Sequence, residues 1–272
     1  MPLFFPGPYF PKASENLMQK VGDTSWVRND FLNHRKKNLE LLLSQRYSWM
    51  NPFIENGTIG VELGCGAGFS SLYLNKNAKI FQSDCLYQPW LSTVVDGLNL
   101  PFKDHSLHFI IMVDVIHHLA HPLNFFMEAK RVLKNNGLLI IKDSHASLSL
   151  RAILRLMHHE GYSFNVDPFN TEAPCNDPDD PWSGNNAIAD IFFQQQQKLK
   201  DLTGFDTQHH KLSESLTLYL SGGVSARSHT LELPDSILKM LSKLDKSLSH
   251  LCPAVFPTGM EWVLKLNKST TS

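Results

Sequence analysis

Five acidic residues in the first part of the chain each stand at or near the end of a short apolar run: Glu62, Asp84, Asp96, Asp114 and Asp143. Carboxylates accept hydrogen bonds from hydroxyl and amino groups, so acids gathered at one edge could hold a polar ligand. The ordinary alternative is that each acid caps a following helix. Acids at the ends of all five runs exceed what capping usually requires.

Three histidines follow the same runs. His117 and His118 come shortly after Asp114, and His145 lies two positions after Asp143. Imidazole titrates near neutral pH, so a histidine in a site can act as a general base. We predict His118 first and His145 second as catalytic residues. The alternative for each is a helix cap or a loop position.

No metal site is predicted from the sequence. The four cysteines are scattered without a CxxC pair, and the pairs His158–His159 and His209–His210 are adjacent in sequence. Histidine ligands on one helix need i, i+4 spacing to face a single ion.

The elements that position these residues alternate between strands and helices. A helix is predicted over 122–133 and a turn at 135–137, and strands are predicted at 58–63, 79–84, 92–97, 107–115 and 138–143. Short, apolar strands that alternate with helices indicate a parallel sheet covered on both faces. Right-handed crossovers make this a doubly wound α/β sheet, whose ligands bind beyond the carboxyl ends of the strands. The acids lie at those ends.

The composition and charge of the chain exclude several classes of function. The chain has 272 residues, 42% of them hydrophobic, and a formal net charge of −1. This length fits one large domain. Because the net charge is close to zero, the electrostatic field of the whole chain does not favour binding to nucleic acid or to an anionic membrane. No apolar run approaches the roughly 20 residues that span a bilayer. The N-terminus, MPLFFPGPYFP, lacks the basic region of a secretory signal. We therefore expect a cytoplasmic protein without a membrane span.

The segment VELGCGAGFSSLYL, residues 61–74, indicates which ligand the edge holds. Its glycines are Gly64, Gly66 and Gly68, and Phe69 stands where a dinucleotide-binding loop has its third glycine. A large ring there crowds the position of a pyrophosphate. Glu62 adds negative charge, which repels phosphate and attracts a cation. S-adenosylmethionine fits better, since it has an amino acid tail, a positive centre and a ribose but no phosphate.

Several motifs together resemble the class I S-adenosylmethionine-dependent methyltransferases, in particular the branch that acts on small molecules. The resemblance rests on VELGCGAG, the acid Asp84, VDGLNLPFKDHSLHFIIMVDVIHHLAHP and EAKRVLKNNGLLIIKD, and it covers about residues 58–143. It implies a Rossmann-like sheet that is mostly parallel, with an antiparallel last strand from MEWVLKL. It also implies S-adenosyl-L-methionine as cofactor and S-adenosyl-L-homocysteine as product.

The resemblance assigns roles to residues of this chain. Glu62 and the loop formed by Gly64, Cys65, Gly66 and Gly68 would hold the methionine end. The ribose would be bound by Asp84 and lined by Cys85 and Leu86, adenine would be held by Asp96 and Gly97, and Val113 and Asp114 would lie near the sulfonium. One departure is the short segment after Asp84, which leaves little room for the usual helix.

Four regions follow from this interpretation. We expect an N-terminal arm and cap helix at 1–55, the cofactor-binding half of the core at 56–146, a substrate cap at 147–205, and completing strands and a helix at 206–272. A leucine-rich stripe over 237–251 predicts a helix packed on the domain, with a homodimer seam as the alternative.

The predicted reaction is O- or N-methylation of a small molecule or saccharide, with O-methylation favoured. No nucleic-acid partner is expected, because the chain lacks a basic stripe. It also lacks an (N/D)-P-P-(Y/F) tetrapeptide after the fourth strand, where amino-methylating nucleic-acid enzymes of this fold often carry one. The alternatives are a non-catalytic adenosyl-ligand-binding protein of the same fold and an NAD-dependent dehydrogenase.

Overall fold

The computed structural model describes residues 7–11, 24–180, 182–224 and 230–267, so much of the predicted N-terminal arm lies outside the described residues. The strands are β1 (Ile59–Leu63), β2 (Lys79–Asp84), β3 (Thr93–Val94), β4 (Leu107–Val113), β5 (Leu133–Ser144), β6 (Phe205–Ser213) and β7 (Gly259–Leu266). They form one sheet in the order β3-β2-β1-β4-β5-β7-β6.

The strand pairing confirms the predicted fold class. The pairs β1–β2, β2–β3, β1–β4 and β4–β5 are parallel, whereas β7 runs antiparallel to both β5 and β6. The carboxyl ends of β1, β2, β4 and β5 therefore meet at one edge of the sheet.

The helices cover both faces of the sheet. They are α1 (Thr24–His34), α2 (Lys37–Ser48), α3 (Pro122–Val132), α4 (Leu148–Met157), α5 (Ile188–Gln194), α6 (Gln196–Thr203), α7 (Thr217–Ser221) and α8 (Asp235–Leu251). Pro122 occupies the first turn of α3, where its missing N–H costs no hydrogen bond. The Ser147 hydroxyl caps α4 by accepting from the Leu150 N–H at 3.4 Å. Among the described residues, none of the helices has the length and apolar character needed to cross a bilayer.

Strand alternation divides the core into two layers. Ile110 and Met112 of β4 pack with α3 and α5 on one face. Phe109 and Ile111 point to the other face, toward α1 and α2. Side chains of a strand alternate between faces, so a central strand covered on both sides is apolar throughout.

The structure differs from the sequence expectation at residues 135–137. The predicted turn is wrong, because these residues lie inside β5. The register between β4 and β5 shifts there, from Leu107 opposite Leu133 to Phe109 opposite Leu138. The extra residues of β5 form a β-bulge, in which Asn136 adopts a φ of +63°. Asn tolerates this left-handed conformation, so the bulge and a turn share the same residue types.

The helix over 235–251 packs on the domain as predicted, but the leucine stripe takes only a partial share in the packing, with Leu241 and Leu248 half-buried. Ile237, Leu244 and Leu251 are 39%, 46% and 76% exposed. The buried face of α8 instead carries Asp245, whose carboxylate accepts hydrogen bonds from the Leu216 and Thr217 N–H groups. These polar contacts rotate part of the stripe away from the domain.

Candidate active site

The glycine loop follows β1 and turns sharply into a 3₁₀ turn over Phe69–Leu72. Gly64, Gly66 and Gly68 have φ values of +65°, +49° and +68°. A side chain is disfavoured at such φ values, which explains why glycine occupies these positions. Gly64 must also remain without a Cβ, because that atom would lie 2.3 Å from Val115 Cγ2.

Two side chains hold the carbonyl groups of this loop. Arg28 of α1 donates to the Ala67 carbonyl at 2.5 Å, and the Trp90 indole donates to the Gly66 carbonyl at 2.9 Å. The Arg28 guanidinium stacks 4.8 Å above the Trp90 ring. Gly64, Cys65, Gly66 and Ala67 of this loop line a cavity at the carboxyl edge of the sheet.

Asp84 ends β2 directly beside the loop. One carboxylate oxygen accepts from the Gly66 N–H at 2.9 Å, and the other accepts from the Leu86 N–H at 3.0 Å. A carboxylate offers about four acceptor positions. Asp84 is therefore fixed in orientation and still able to accept hydrogen bonds from two hydroxyl groups.

Glu62 is fully buried beneath the loop and does not line the cavity. One carboxylate oxygen accepts from the Ser70 hydroxyl and, at 3.4 Å, from the Gln82 amide. Within the described part of the chain, its other oxygen has no hydrogen-bond partner. Burial raises the pKa of Glu62 to about 7, against the lowering effect of Ser70 and Gln82.

Asp96 and Gly97 lie apart from this cavity. Asp96 is exposed, and its carboxylate accepts from the Leu98 N–H at 2.9 Å. The predicted cofactor residues that do line the cavity are Gly64, Cys65, Gly66, Asp84, Cys85, Leu86, Val113 and Asp114. Gly68 stands behind the loop, where a Cβ would lie 2.8 Å from the Trp90 ring.

Neither cysteine of the site is an activated nucleophile. Burial raises the pKa of the Cys65 thiol, and burial together with the Asp84 charge raises that of Cys85 to about 11. A reactive cysteine requires the thiolate form, which these surroundings disfavour.

A buried ion network forms the floor of the cavity. Arg46 of α2 binds Asp114 and holds Glu214 through two hydrogen bonds of 3.0 and 2.9 Å. Lys142 lies 3.2 Å from Glu214 and 3.7 Å from Asp114. Burial alone would raise the pKa of Asp114, but the charges of Arg46 and Lys142 hold it below its ordinary value. The two cations therefore balance the two carboxylates.

A second cluster lies at the ends of β4 and β5. The His117 Nδ1 atom is 2.6 Å from Asp143, and its Nε2 atom is 3.1 Å from Glu160. Asp143 also accepts from the Val115 and Ile116 N–H groups, each at 3.0 Å. This carboxylate thus fixes both the imidazole and the turn that follows β4.

The charges of this cluster shift the pKa values of its members. Burial opposes protonation of His117, but Asp143 and Glu160 raise its pKa well above the ordinary value. Burial and the neighbouring His117 hold the pKa of His118 below 6.5. Burial would raise the pKa of Glu160, yet His118 and His117 keep it well below the ordinary value. At neutral pH, His118 is uncharged.

His145, the other histidine proposed for catalysis, does not line the cavity. Its Nδ1 atom is 2.6 Å from Asp190, and its Nε2 atom is 3.0 Å from the Pro253 carbonyl. Both ring nitrogens therefore serve contacts between α5 and the segment before β7.

The cavity connects the glycine loop with the histidine cluster. Its volume is about 950 Å³, and its lining includes Asp84, Asp114, His118 and Glu160. Ligand pockets span about 300–1,000 Å³, so this one has room for a nucleoside and part of a second molecule.

The residues present fit S-adenosylmethionine. A Cβ built on Gly66 meets only Thr24, at 4.0 Å, so a ligand can approach the loop backbone closely. Asp84 retains acceptor capacity for ribose hydroxyls at the same edge. We propose that the loop backbone holds the methionine end and that Asp84 holds the ribose.

Residues 61–141 match a family model described as a methyltransferase domain. This match supports the predicted class I S-adenosylmethionine-dependent methyltransferase. The predicted class and cofactor are confirmed, and the match lies over the strands that carry the glycine loop and Asp84.

Similar proteins include the human "Probable tRNA methyltransferase 9B", which is 33% identical over 116 residues, or 37% of this chain and 25% of that protein. The "tRNA (carboxymethyluridine(34)-5-O)-methyltransferase" of Saccharomyces cerevisiae is 36% identical over 74 residues, or 23% of this chain and 25% of that protein. The chain spans about a quarter of the length of these two relatives. A solved S-adenosylmethionine-dependent methyltransferase from Archaeoglobus fulgidus is 12% identical, with a TM-score of 0.48 and coverage of 92% of this chain and 97% of that one.

These relatives correct the predicted partners. We expected a small-molecule or saccharide acceptor and no nucleic acid, whereas four of the five similar curated proteins are named for tRNA. The expectation rested on the missing basic stripe, on the missing (N/D)-P-P-(Y/F) tetrapeptide and on the net charge of −1. A net charge averages over the surface, and a stripe read along the sequence does not report basic residues that the fold brings together.

Several residues of the site were missed in the sequence: Arg46, Lys142, Glu160 and Glu214. Lys142 carried a signal, since a lysine within the apolar run LLIIKD needs a buried partner. The other three come from separate segments, and no local pattern marks them.

Proposed function

We propose that this protein transfers the methyl group of S-adenosylmethionine to an oxygen atom of its acceptor. One observation carries the proposal: the glycine loop with Asp84 and the cluster of His117, His118 and Glu160 open into the same cavity. A cofactor held at the loop therefore shares its space with groups that can handle an acceptor proton.

The bound cofactor supplies an electrophilic methyl group on sulfur. The glycine loop and Asp84 would hold this cofactor, which would supply its methyl carbon to the acceptor oxygen while the electron pair of the sulfur–carbon bond remains on sulfur. A hydroxyl acceptor must also lose its proton, and a group of suitable pKa at the site assists this step. The chain contributes mainly by aligning the reactants and excluding water.

We further propose a nucleoside within a tRNA as the acceptor. The names of the relatives support this class, and one of them specifies transfer to oxygen. Trp182 and Tyr219 also line the cavity. Aromatic rings of this kind stack on a base that has been turned out of its strand.

Two measurements test the proposal. Calorimetry with S-adenosylmethionine, S-adenosylhomocysteine and NAD should show binding of the first two, and Asp84→Ala should lose it. Incubation with methyl-labelled cofactor should then transfer label to intact tRNA.

The same tRNA digested to nucleosides serves as the control, together with the Asp84→Ala protein. Bound cofactor without label in tRNA rejects the acceptor class. A folded protein that binds neither adenosyl ligand rejects the methyl-transfer proposal itself.

A further inference from the structure

His117, His118 and Glu160 bring three potential ligand atoms together at the wall of the cavity. The His117 Nε2 atom is 3.1 Å from one Glu160 oxygen, and the His118 Nε2 atom is 3.7 Å from the other. One nitrogen of each histidine and one oxygen of Glu160 lie within 4.8 Å of one another, and among the described residues no other group of three potential metal ligands does so. Glu160 follows His117 by 43 residues, so no sequence spacing reveals the group.

The hydrogen bonds made by the other ring nitrogens, the two Nδ1 atoms, determine the tautomer of each imidazole. Nδ1 of His117 faces the Asp143 carboxylate at 2.6 Å, and Nδ1 of His118 faces the Ser183 carbonyl at 3.0 Å. Carboxylate and carbonyl oxygens only accept, so each Nδ1 is the donor. Without a metal, Nε2 of His117 donates its proton to Glu160. An ion bound here would replace this proton and meet two imidazole nitrogens and the Glu160 carboxylate.

We propose that His117, His118 and Glu160 bind one divalent first-row transition-metal ion, such as Zn²⁺ or Co²⁺. Such ions bind imidazole nitrogen at about 2.0–2.1 Å and carboxylate oxygen at about 2.0–2.2 Å, which puts neighbouring ligand atoms roughly 3–3.6 Å apart. The two histidine–glutamate distances are 3.1 and 3.7 Å. Two neutral imidazoles and a carboxylate suit these metals better than Mg²⁺ or Ca²⁺, which prefer oxygen.

The surroundings hold the ligands in place. Asp143 supports His117 as a carboxylate partner on the nitrogen away from the metal, an arrangement that orients metal-bound histidines. The Asn186 amide donates to Glu160 at 3.1 Å, and Asn186 is 4% exposed. A Cβ on Gly184 would lie 3.2 Å from both the His117 and the His118 rings. Because Gly184 has no side chain, both rings can occupy their observed positions without a steric clash.

The cluster faces the cavity that the glycine loop also lines. Catalytic metal sites typically have three protein ligands and keep a position open, whereas structural sites are closed by four. The role of the ion rests on the proposed function: at an open position it would coordinate the acceptor oxygen and lower the pKa of its proton. The site itself is independent of the acceptor.

Cobalt binding tests the site directly. Full-length protein without a polyhistidine tag is treated with a chelator, dialysed and titrated with Co²⁺, whose visible absorption reports nitrogen–oxygen coordination. We expect one ion per chain and displacement by Zn²⁺. Glu160→Gln and His118→Ala should each weaken binding by at least about a hundredfold.

His34→Ala is the matched control, because the His34 side chain is 66% exposed and remote from the cluster. Gly184→Ala provides a second variant that retains all three ligands but crowds both rings, and it should weaken binding by about tenfold. Substoichiometric Co²⁺ in the wild type overturns the proposal, as does equal affinity in Glu160→Gln, His118→Ala and His34→Ala. Calorimetry with S-adenosylmethionine on the same metal-free samples tests the cofactor separately, so the failures of the two proposals are distinguishable.

Discussion

The Asp84 carboxylate accepts a hydrogen bond of 2.9 Å from the Gly66 N–H, which joins the end of β2 to the loop that follows β1. The contact closes the loop on one side and leaves acceptor positions of the carboxylate open to the cavity. The residue proposed to bind the ribose therefore also shapes the loop proposed to bind the methionine end.

Replacing Asp84 by Asn should weaken S-adenosylmethionine binding. An amide cannot accept on both sides, so both the loop contact and a charged contact to ribose are weakened. Hydrogen bonds to charged groups contribute about 1.5–3 kcal/mol, or roughly 10–150-fold in affinity. Calorimetry measures the change, and Asp201→Asn on exposed α6 is the control. Unchanged affinity in Asp84→Asn would remove Asp84 from the site.

Gly66→Ala should impair cofactor binding more than it impairs folding. Its φ of +49° is disfavoured for alanine, and the added methyl would project into the open space beside the loop. The conformational cost is about 1–2 kcal/mol. Urea unfolding gives the stability change, and calorimetry gives the affinity.

Gly57 offers a matched control for this comparison. Its φ is +75°, and a Cβ there meets nothing within 4 Å. Gly57→Ala should lose similar stability and keep its cofactor affinity. Equal loss of affinity in both variants would mean that Gly66 acts only through the fold.

Much of the fold could be predicted because its signals are local. The runs that became β1 and β4 are apolar and are followed by a glycine or an acid, and a buried parallel strand leaves such a pattern in the sequence. The bulge at 135–137 could not be distinguished from a turn, since Asn136 and Gly137 suit either. The orientation of α8 depended on Asp245 capping two N–H groups of a distant segment, which periodicity does not report.

Site residues could be predicted from the sequence only where they lie in one segment or in neighbouring segments of the chain. The glycine loop and Asp84 belong to neighbouring elements with a recognisable spacing. Glu62 was assigned to the cofactor site, but it lies in β1 and faces inward, because strand alternation directs it to the same side as Gln82, its register partner on β2. Glu160 reaches His117 through tertiary packing alone, so the histidine cluster emerged only from the structure.

Glu62 should give the protein a characteristic pH dependence. Its pKa is raised from 4.5 to about 7 by burial, so the folded state binds this proton more tightly than the unfolded state does. Its contribution to stability is present below about pH 4.5 and is lost as pH rises through about 7. A shift of this size corresponds to about 3 kcal/mol.

Urea unfolding between pH 4.5 and 8 measures this effect as a difference between the wild type and Glu62→Gln. We expect the wild type to lose stability relative to the variant as pH rises, because glutamine does not ionise. Glu55→Gln at an exposed position should follow the wild type at every pH. A constant difference between wild type and Glu62→Gln would show that Glu62 titrates normally.

The stability of the protein should depend on the charge balance within one buried network, which consists of Arg46, Asp114, Lys142 and Glu214. Arg46→Met leaves Lys142 facing two carboxylates, and breaking a buried pair typically costs about 3–5 kcal/mol. Replacing both partners of a buried pair by apolar groups is often nearly neutral, so Arg46→Met combined with Glu214→Leu should recover most of the loss. Lys200→Ala, which removes an ion pair that is 43% and 35% exposed, should change stability by less than about 1 kcal/mol. Urea unfolding of the wild type, Arg46→Met, Glu214→Leu and the double variant measures the coupling. A double variant as unstable as the sum of its two single changes would contradict the prediction.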